Sequence, residues 1–133
     1  MNSRGPLDER QRIGSGNPYE KSFGYCRAIR IGDRVMVSGT APVWPDGSVH
    51  SDAYVQAKRC FEIIGSAFAE AGASLDQVVR TRMYVTGLAW VDAVGKAHGE
   101  AMVNARPVAT MVVVKDLIDE RWKVEIEAEA VIA

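Results

Sequence analysis

With only two cysteines in 133 residues the chain cannot build a disulfide framework, and Cys26 and Cys60 stand in no metal-binding or redox spacing. They read as buried, reduced thiols. Its two histidines, His50 and His98, lack ligand-type spacing, so ordinary surface or partly buried roles are preferred and no metal is expected. There is no phosphate loop, no Gly-x-Ser-x-Gly elbow and no dinucleotide fingerprint. Those absences remove the usual signals of nucleotide, serine-hydrolase and nicotinamide chemistry, and no cofactor is expected. No apolar run approaches the roughly 18 residues needed to cross a bilayer, and the opening MNSRGPLDERQR has no apolar centre of a secretory signal. A cytoplasmic protein with no membrane partner is the expectation. An excess of either charge is also missing, since 16 Lys+Arg against 17 Asp+Glu leave a net charge of −1. Nothing in that balance favours nucleic acid as a partner.

What is present suits one domain with one core: 47% hydrophobic and 25% charged residues. Residues 1–22 are polar, with turn chemistry at Gly14-Ser15-Gly16-Asn17-Pro18, and are expected to form a mobile or surface-laid tail before a domain over residues 23–133. Tyr25–Ile31 and Arg34–Ser38 read as short strands joined at Gly32-Asp33. Ser38-Gly39-Thr40 then exposes backbone N–H groups where a strand stops, and Trp44-Pro45-Asp46-Gly47 is a strong turn.

Ser51 or Asp52 can cap a helix running to about Ala71, with a buried stripe of Cys60, Ile64, Ala67, Phe68 and Ala71 and a stop at Gly72. Val78–Val85 alternates, with Val79, Thr81, Met83 and Val85 on one side and Arg80, Arg82 and Tyr84 on the other. A second helix is expected over Trp90–Asn104, and Pro107 ends its pattern.

Two adjacent strands are expected to close the chain. Ala109–Leu117 is a nearly continuous apolar run, as in a strand buried on both faces. Lys123–Ile132 alternates strictly, with Val124, Ile126, Ala128 and Ala130 opposed to Lys123, Glu125, Glu127 and Glu129. The row of glutamates is either a solvent-facing surface or the wall of a cleft or subunit interface. The order β-β-α-β-α-β-β makes an α+β fold with both helices on one face of a sheet. The other face would carry Tyr25, Arg80, Arg82, Tyr84, Met111, Val113 and the glutamates. It is too apolar for free solvent and too charged for a dry core, which points to a homo-oligomeric interface with arginine–glutamate pairing.

This order resembles the Rid family, also called YjgF-like or L-PSP endoribonuclease-like. The resemblance rests on Phe23-Gly24-Tyr25, Val35-Met36-Val37-Ser38-Gly39-Thr40, the segment from Ala71 to Val79, and Val124-Glu125-Ile126-Glu127-Ala128. It implies a chorismate-mutase-like fold, a homotrimer with a small-molecule ligand in clefts between subunits, and hydrolysis of reactive enamines or imines to keto acids and ammonia. It further implies Tyr25 as the site tyrosine and Glu125 as the residue that positions the attacking water. Gly39, Thr40, Arg82, Ala109 and Thr110 are the substrate-binding candidates. The family's proline-alanine-arginine-serine motif falls on Pro107-Val108-Ala109-Thr110, so Ala109 stands where the arginine is expected. The resemblance therefore implies weak action on ordinary 2-imino acids, because a guanidinium that fixes a carboxylate is missing. Arg82 is the candidate substitute. A non-catalytic metabolite-binding or interaction protein is the second reading. An endoribonuclease is a third, and it wants a basic groove with stacking aromatics that the composition does not offer.

Overall fold

The structure, a computed structural model, describes residues 9–133. Its elements are β1 (Gln11–Ile13), α1 (Pro18–Phe23), β2 (Ala28–Ile31), β3 (Arg34–Thr40), α2 (Ala53–Glu70), β4 (Val78–Val85), α3 (Val91–Ala101), β5 (Val108–Val113) and β6 (Val124–Val131). They form one six-stranded sheet in the order β1-β2-β3-β6-β4-β5, antiparallel except for β4 with β5. Helices α2 and α3 pack on one face and the other face is left open. This is the expected α+β architecture.

The reason for β6's central place is in its alternation. Val124, Ile126, Ala128 and Ala130 are all buried beneath the helices, while Glu125, Glu127 and Glu129 line the open face half-buried. Each fully buried Val or Ile contributes roughly 1.5–3 kcal/mol. Helix α2 supplies the matching surface. Asp52 caps it by accepting from the Val55 N–H at 3.1 Å, its buried stripe includes Cys60, Ile64, Ala67 and Phe68, and Gly72 turns the chain away at φ +85°. Gly32, at φ +61°, makes the turn between β2 and β3.

Five expectations are corrected. The polar tail contributes structure before residue 23. Strand β1 pairs with β2, Ile13 is buried in the core, and α1 starts at an Asn17 cap. The part of the tail before Glu9 lies outside the described residues. Strands β5 and β6 are not neighbours, because β4 lies between them. Nor is β5 buried on both faces. It is the sheet's edge, and Val108, Val112 and Val113 are exposed in the single chain. Its register with β4 sets Met83 beside Met111 and Val85 beside Val113. Met111 and Val113 are therefore on the helix side, and Val108, Thr110 and Val112 take the open face beside Arg80, Arg82 and Tyr84. Finally, Val78 rather than Val79 is buried at the start of β4, because the pairing with β6 slips between Val78 and Arg80. A slip of one residue moves a side chain to the opposite face.

Candidate active site

The open face begins as a charge ladder. Arg34 pairs with Glu129 at 3.5 Å, and Arg82 reaches Glu129 at 3.8 Å and Glu127 at 3.4 Å. The Tyr84 hydroxyl donates to the other Glu127 oxygen. This bond, with partial burial, raises the Tyr84 pKa, so the phenol stays protonated as a donor. Registration explains the row: Arg80, Arg82 and Tyr84 stand opposite Glu129, Glu127 and Glu125 across the β4–β6 pair. Arg82 is thus on the same side of the sheet as Glu125, but its guanidinium is engaged by the next two glutamates.

Glu125 ends the ladder and has different company. The β3–β6 pairing is irregular between Val37 and Thr40, and this places Gly39 against the glutamate. A Cβ on Gly39 would lie 2.6 Å from Glu125 Oε2. Burial raises the Glu125 pKa, Arg27 opposes the rise and Glu127 adds to it. Arg27 enters from the segment just before β2. Its Nη2 donates to the Gly39 carbonyl at 2.7 Å, and its side chain is buried enough to lower its own pKa, against the attraction of Tyr25, Glu20 and Glu125. Tyr25 and Glu125, 100 residues apart in sequence, thus both act electrostatically on one guanidinium.

The remaining candidates fall elsewhere. Thr40 is fully buried and its hydroxyl donates to the Ser38 carbonyl at 2.8 Å, so it presents no group to a ligand. Ser38 Oγ likewise donates within the fold, to the Cys26 carbonyl at 2.6 Å. Ala109 and Thr110 are exposed on β5, two strands from Glu125, which is about 10 Å at ordinary strand spacing. Thr110 shares the open face with Arg82, whereas Ala109 stands beside buried Thr81 and faces the helix side. In one chain, then, Gly39, Glu125 and Arg27 come together, Tyr25 is near enough to act on Arg27 electrostatically, and Thr40, Ala109 and Thr110 do not join them.

Sequence reasoning missed Arg27, and it placed Tyr84 on this face without giving it a role at the glutamates. Arg27 lies two residues after Tyr25, and that spacing in an extended segment was the available signal. The histidines serve the fold. His98 Nε2 lies 2.8 Å from Thr81 Oγ1 in the interior, and His50 Nδ1 accepts from the Asp52 N–H at 3.0 Å. Among the described residues no cluster of His, Cys, Asp and Glu is arranged to hold a metal ion. Cys60 is buried against the Thr40 carbonyl, and burial drives its thiol pKa far up. Among the described residues no helix is long and apolar enough to cross a membrane.

Residues 17–132 match the family described as Endoribonuclease L-PSP. An uncharacterized protein of Streptomyces coelicolor is 43% identical over 121 residues, covering 90% of each chain. A RutC family protein of Pyrococcus abyssi is 32% identical over 109 residues, covering 80% of this chain and 84% of its own. The crystal structure of a member of the highly conserved YjgF/YER057c/UK114 family from Mycobacterium tuberculosis is 40% identical and superposes with a TM-score of 0.85, over 92% of this chain and 99% of that one. By sequence over most of its length and by fold, the chain belongs to the Endoribonuclease L-PSP family, the group that includes the YjgF and RutC proteins.

Proposed function

We propose that the protein is a small-molecule hydrolase that cleaves the carbon–nitrogen bond of reactive imines, or of enamines through their imine tautomers. The observation that carries this reading is Glu125: a half-buried carboxylate of raised proton affinity, set against Gly39 and close enough to Arg27 to feel its charge. Such a carboxylate suits a proton-transfer step near neutral pH better than an exposed one does. Starting from the protonated imine, Glu125 orients a water molecule and takes its proton as the oxygen adds to the imine carbon. It returns a proton to the nitrogen of the resulting carbinolamine. The C–N bond then breaks as Glu125 takes the hydroxyl proton of the carbinolamine, so that ammonia leaves and a carbonyl remains, with no change of oxidation state. Tyr25, half-exposed at the rim, supplies a hydroxyl to the reacting nitrogen or oxygen.

The working assembly in this proposal is a homotrimer. Val108 and Val112 on the open face of β5, and the ladder from Arg34 to Tyr84, are the surfaces for a neighbouring copy. The site then becomes a cleft between subunits. Ala109 leaves β5 without a guanidinium, so an acidic group of the substrate finds no cationic partner at that position.

The test is a direct assay. Imines are generated in situ by an amino acid oxidase, and their hydrolysis is followed with wild type and Glu125→Gln. Acceleration by wild type that is lost in Glu125→Gln is expected. No acceleration of any imine, together with stoichiometric binding of a metabolite, would replace the hydrolase with a binding protein.

A further inference from the structure

The absence of a guanidinium at Ala109 poses a question of charge, and the arginines of the open face answer it differently. Arg82 and Arg34 are engaged by Glu127 and Glu129. Arg27 forms no ion pair with a carboxylate among the described residues, although Glu125 and Glu20 are close enough to act on it electrostatically. One of its N–H groups is fixed on the Gly39 carbonyl at 2.7 Å, and its Nε is buried without a hydrogen-bond partner. A buried Nε keeps the guanidinium in place but out of a ligand's direct reach, and Nη1, for which no hydrogen bond to a described residue is formed, is the edge that can meet an acidic group.

We propose that Arg27 is the residue that recognises an acidic group on the substrate, in place of a guanidinium on β5. This rests on the hydrolase reading of the Glu125 site. Gly39 provides the geometry. Its backbone carries Arg27 on the carbonyl and Glu125 against the α-carbon, so a ligand lying over this glycine meets the cation and the carboxylate together. A planar guanidinium with one donor already anchored is held ready for a carboxylate, at a smaller ordering cost than a free arginine on the rim would incur. The acidic group then lies on the β2–β3 side of Glu125 rather than on the β5 side. The proposal has a second consequence for the base. Arg27 is the charge that holds down the proton affinity of Glu125. A substrate carboxylate that neutralises it makes Glu125 a stronger base in the complex.

On its far side Arg27 also borders a cavity of about 340 Å³ between α2 and the turn after β1, whose walls include Ile13, Ser15, Arg59, Ser66 and Glu70. The experiment therefore separates the two sides. Pyruvate and its neutral amide are titrated into wild type, Arg27→Gln, Arg27→Lys, Arg82→Ala and Ser66→Phe, the last filling the far cavity. The same variants are assayed on a carboxylate-bearing imine from an amino acid oxidase and on a neutral imine from an amine oxidase. Expected is at least a tenfold preference of wild type for pyruvate over the amide, reduced to about equal affinity in Arg27→Gln, partly kept in Arg27→Lys, and unchanged in Arg82→Ala and Ser66→Phe. In turnover, Arg27→Gln should lose at least tenfold more in kcat/KM on the carboxylate-bearing imine than on the neutral one, and circular dichroism shows whether the variant is folded. Should Arg27→Gln not fold, the partial loss in Arg27→Lys carries the test. Equal losses on both imines would make Arg27 a support for Glu125 and overturn the proposal. So would discrimination that disappears in Arg82→Ala or Ser66→Phe, or no preference for pyruvate in wild type. Failure of the hydrolase reading looks different: no imine is turned over at all, whatever the binding data show.

Discussion

The Glu125 carboxylate occupies the space that a side chain at position 39 would need. A Cβ on Gly39 would stand 2.6 Å from its Oε2 and 3.3 Å from its Cδ. The obstacle is the far end of a flexible side chain, so the fold can yield by moving the carboxylate. Gly39→Ala is therefore expected to fold with a melting temperature within a few degrees of wild type, while displacing Glu125 from Arg27. Imine hydrolysis should fall by roughly 100-fold, since small misplacements of a catalytic group are costly. Thermal melts and kcat/KM measured side by side check this. A variant of full activity would separate Gly39 from the chemistry.

Glu125→Gln keeps the shape of the side chain and removes the base. A loss of about 10²–10⁴-fold in kcat/KM is expected, the usual worth of a positioned general base. The pH profile gives an independent signature. Burial raises the Glu125 pKa above the ordinary 4.5, so the acid limb of kcat/KM should fall at a pH above that value. The same shift acts on stability with a definite sign. The native state holds this proton more tightly than the unfolded chain, so Glu125 contributes stability below its unfolded pKa and loses it as pH rises through the native one. Glu125→Gln should flatten that part of the stability curve.

Assembly is tested by light scattering at micromolar concentration, where a mass of about three times 14.5 kDa is expected. Val108 and Val112, exposed on the open face of β5, are the residues to change. Burying a valine contributes roughly 1.5 kcal/mol or more, whereas burying an unpaired carboxylate opposes association. Val112→Asp should give monomers with native circular dichroism, and a trimer that survives it would put the interface elsewhere.

Thr81 and His98 provide a pH sensor of the core. Thr81 is fully buried and its Oγ1 lies 2.8 Å from His98 Nε2. Burial lowers the His98 pKa below 6.5. A histidine disfavoured as a cation in the native state lends stability at higher pH, and that stability is lost as pH falls from 6.5 through the native pKa. Chemical denaturation between pH 7.5 and about 5 should show this fall. Thr81→Val should cost about 1–3 kcal/mol by leaving a ring nitrogen unpaired.

The helices and β6 were legible because their signals are local. The spacing from Cys60 to Ala71 marks one face of α2, and the three glutamates mark one side of β6. Strand β5 was harder. Apolar residues on both sides of a strand leave no alternation to read, so Met111 and Val113 were given the wrong face. Its neighbour was also misjudged, because insertion of β4 between β5 and β6 is a long-range event. Strand β1 has three residues and a single buried side chain, Ile13, too short a pattern to stand out from a polar segment. Within the site, Tyr25, Gly39 and Glu125 were found through resemblance, while Arg27 was not, because the resemblance supplied no role for that position. Thr40 belongs to the same motif as Gly39, and only the fold engages its hydroxyl with the Ser38 carbonyl.

The burial of Cys60 has a practical consequence for the experiments above. Its thiol is packed beneath α2 and its pKa is driven far up, so thiol-directed reagents at neutral pH act as if it were not there. Cys26, partly exposed, is then the single addressable thiol, and it lies between Tyr25 and Arg27 in sequence. A small maleimide fluorophore attached to the native chain, with no engineered cysteine, would mark one defined position on the segment that carries Tyr25 and Arg27.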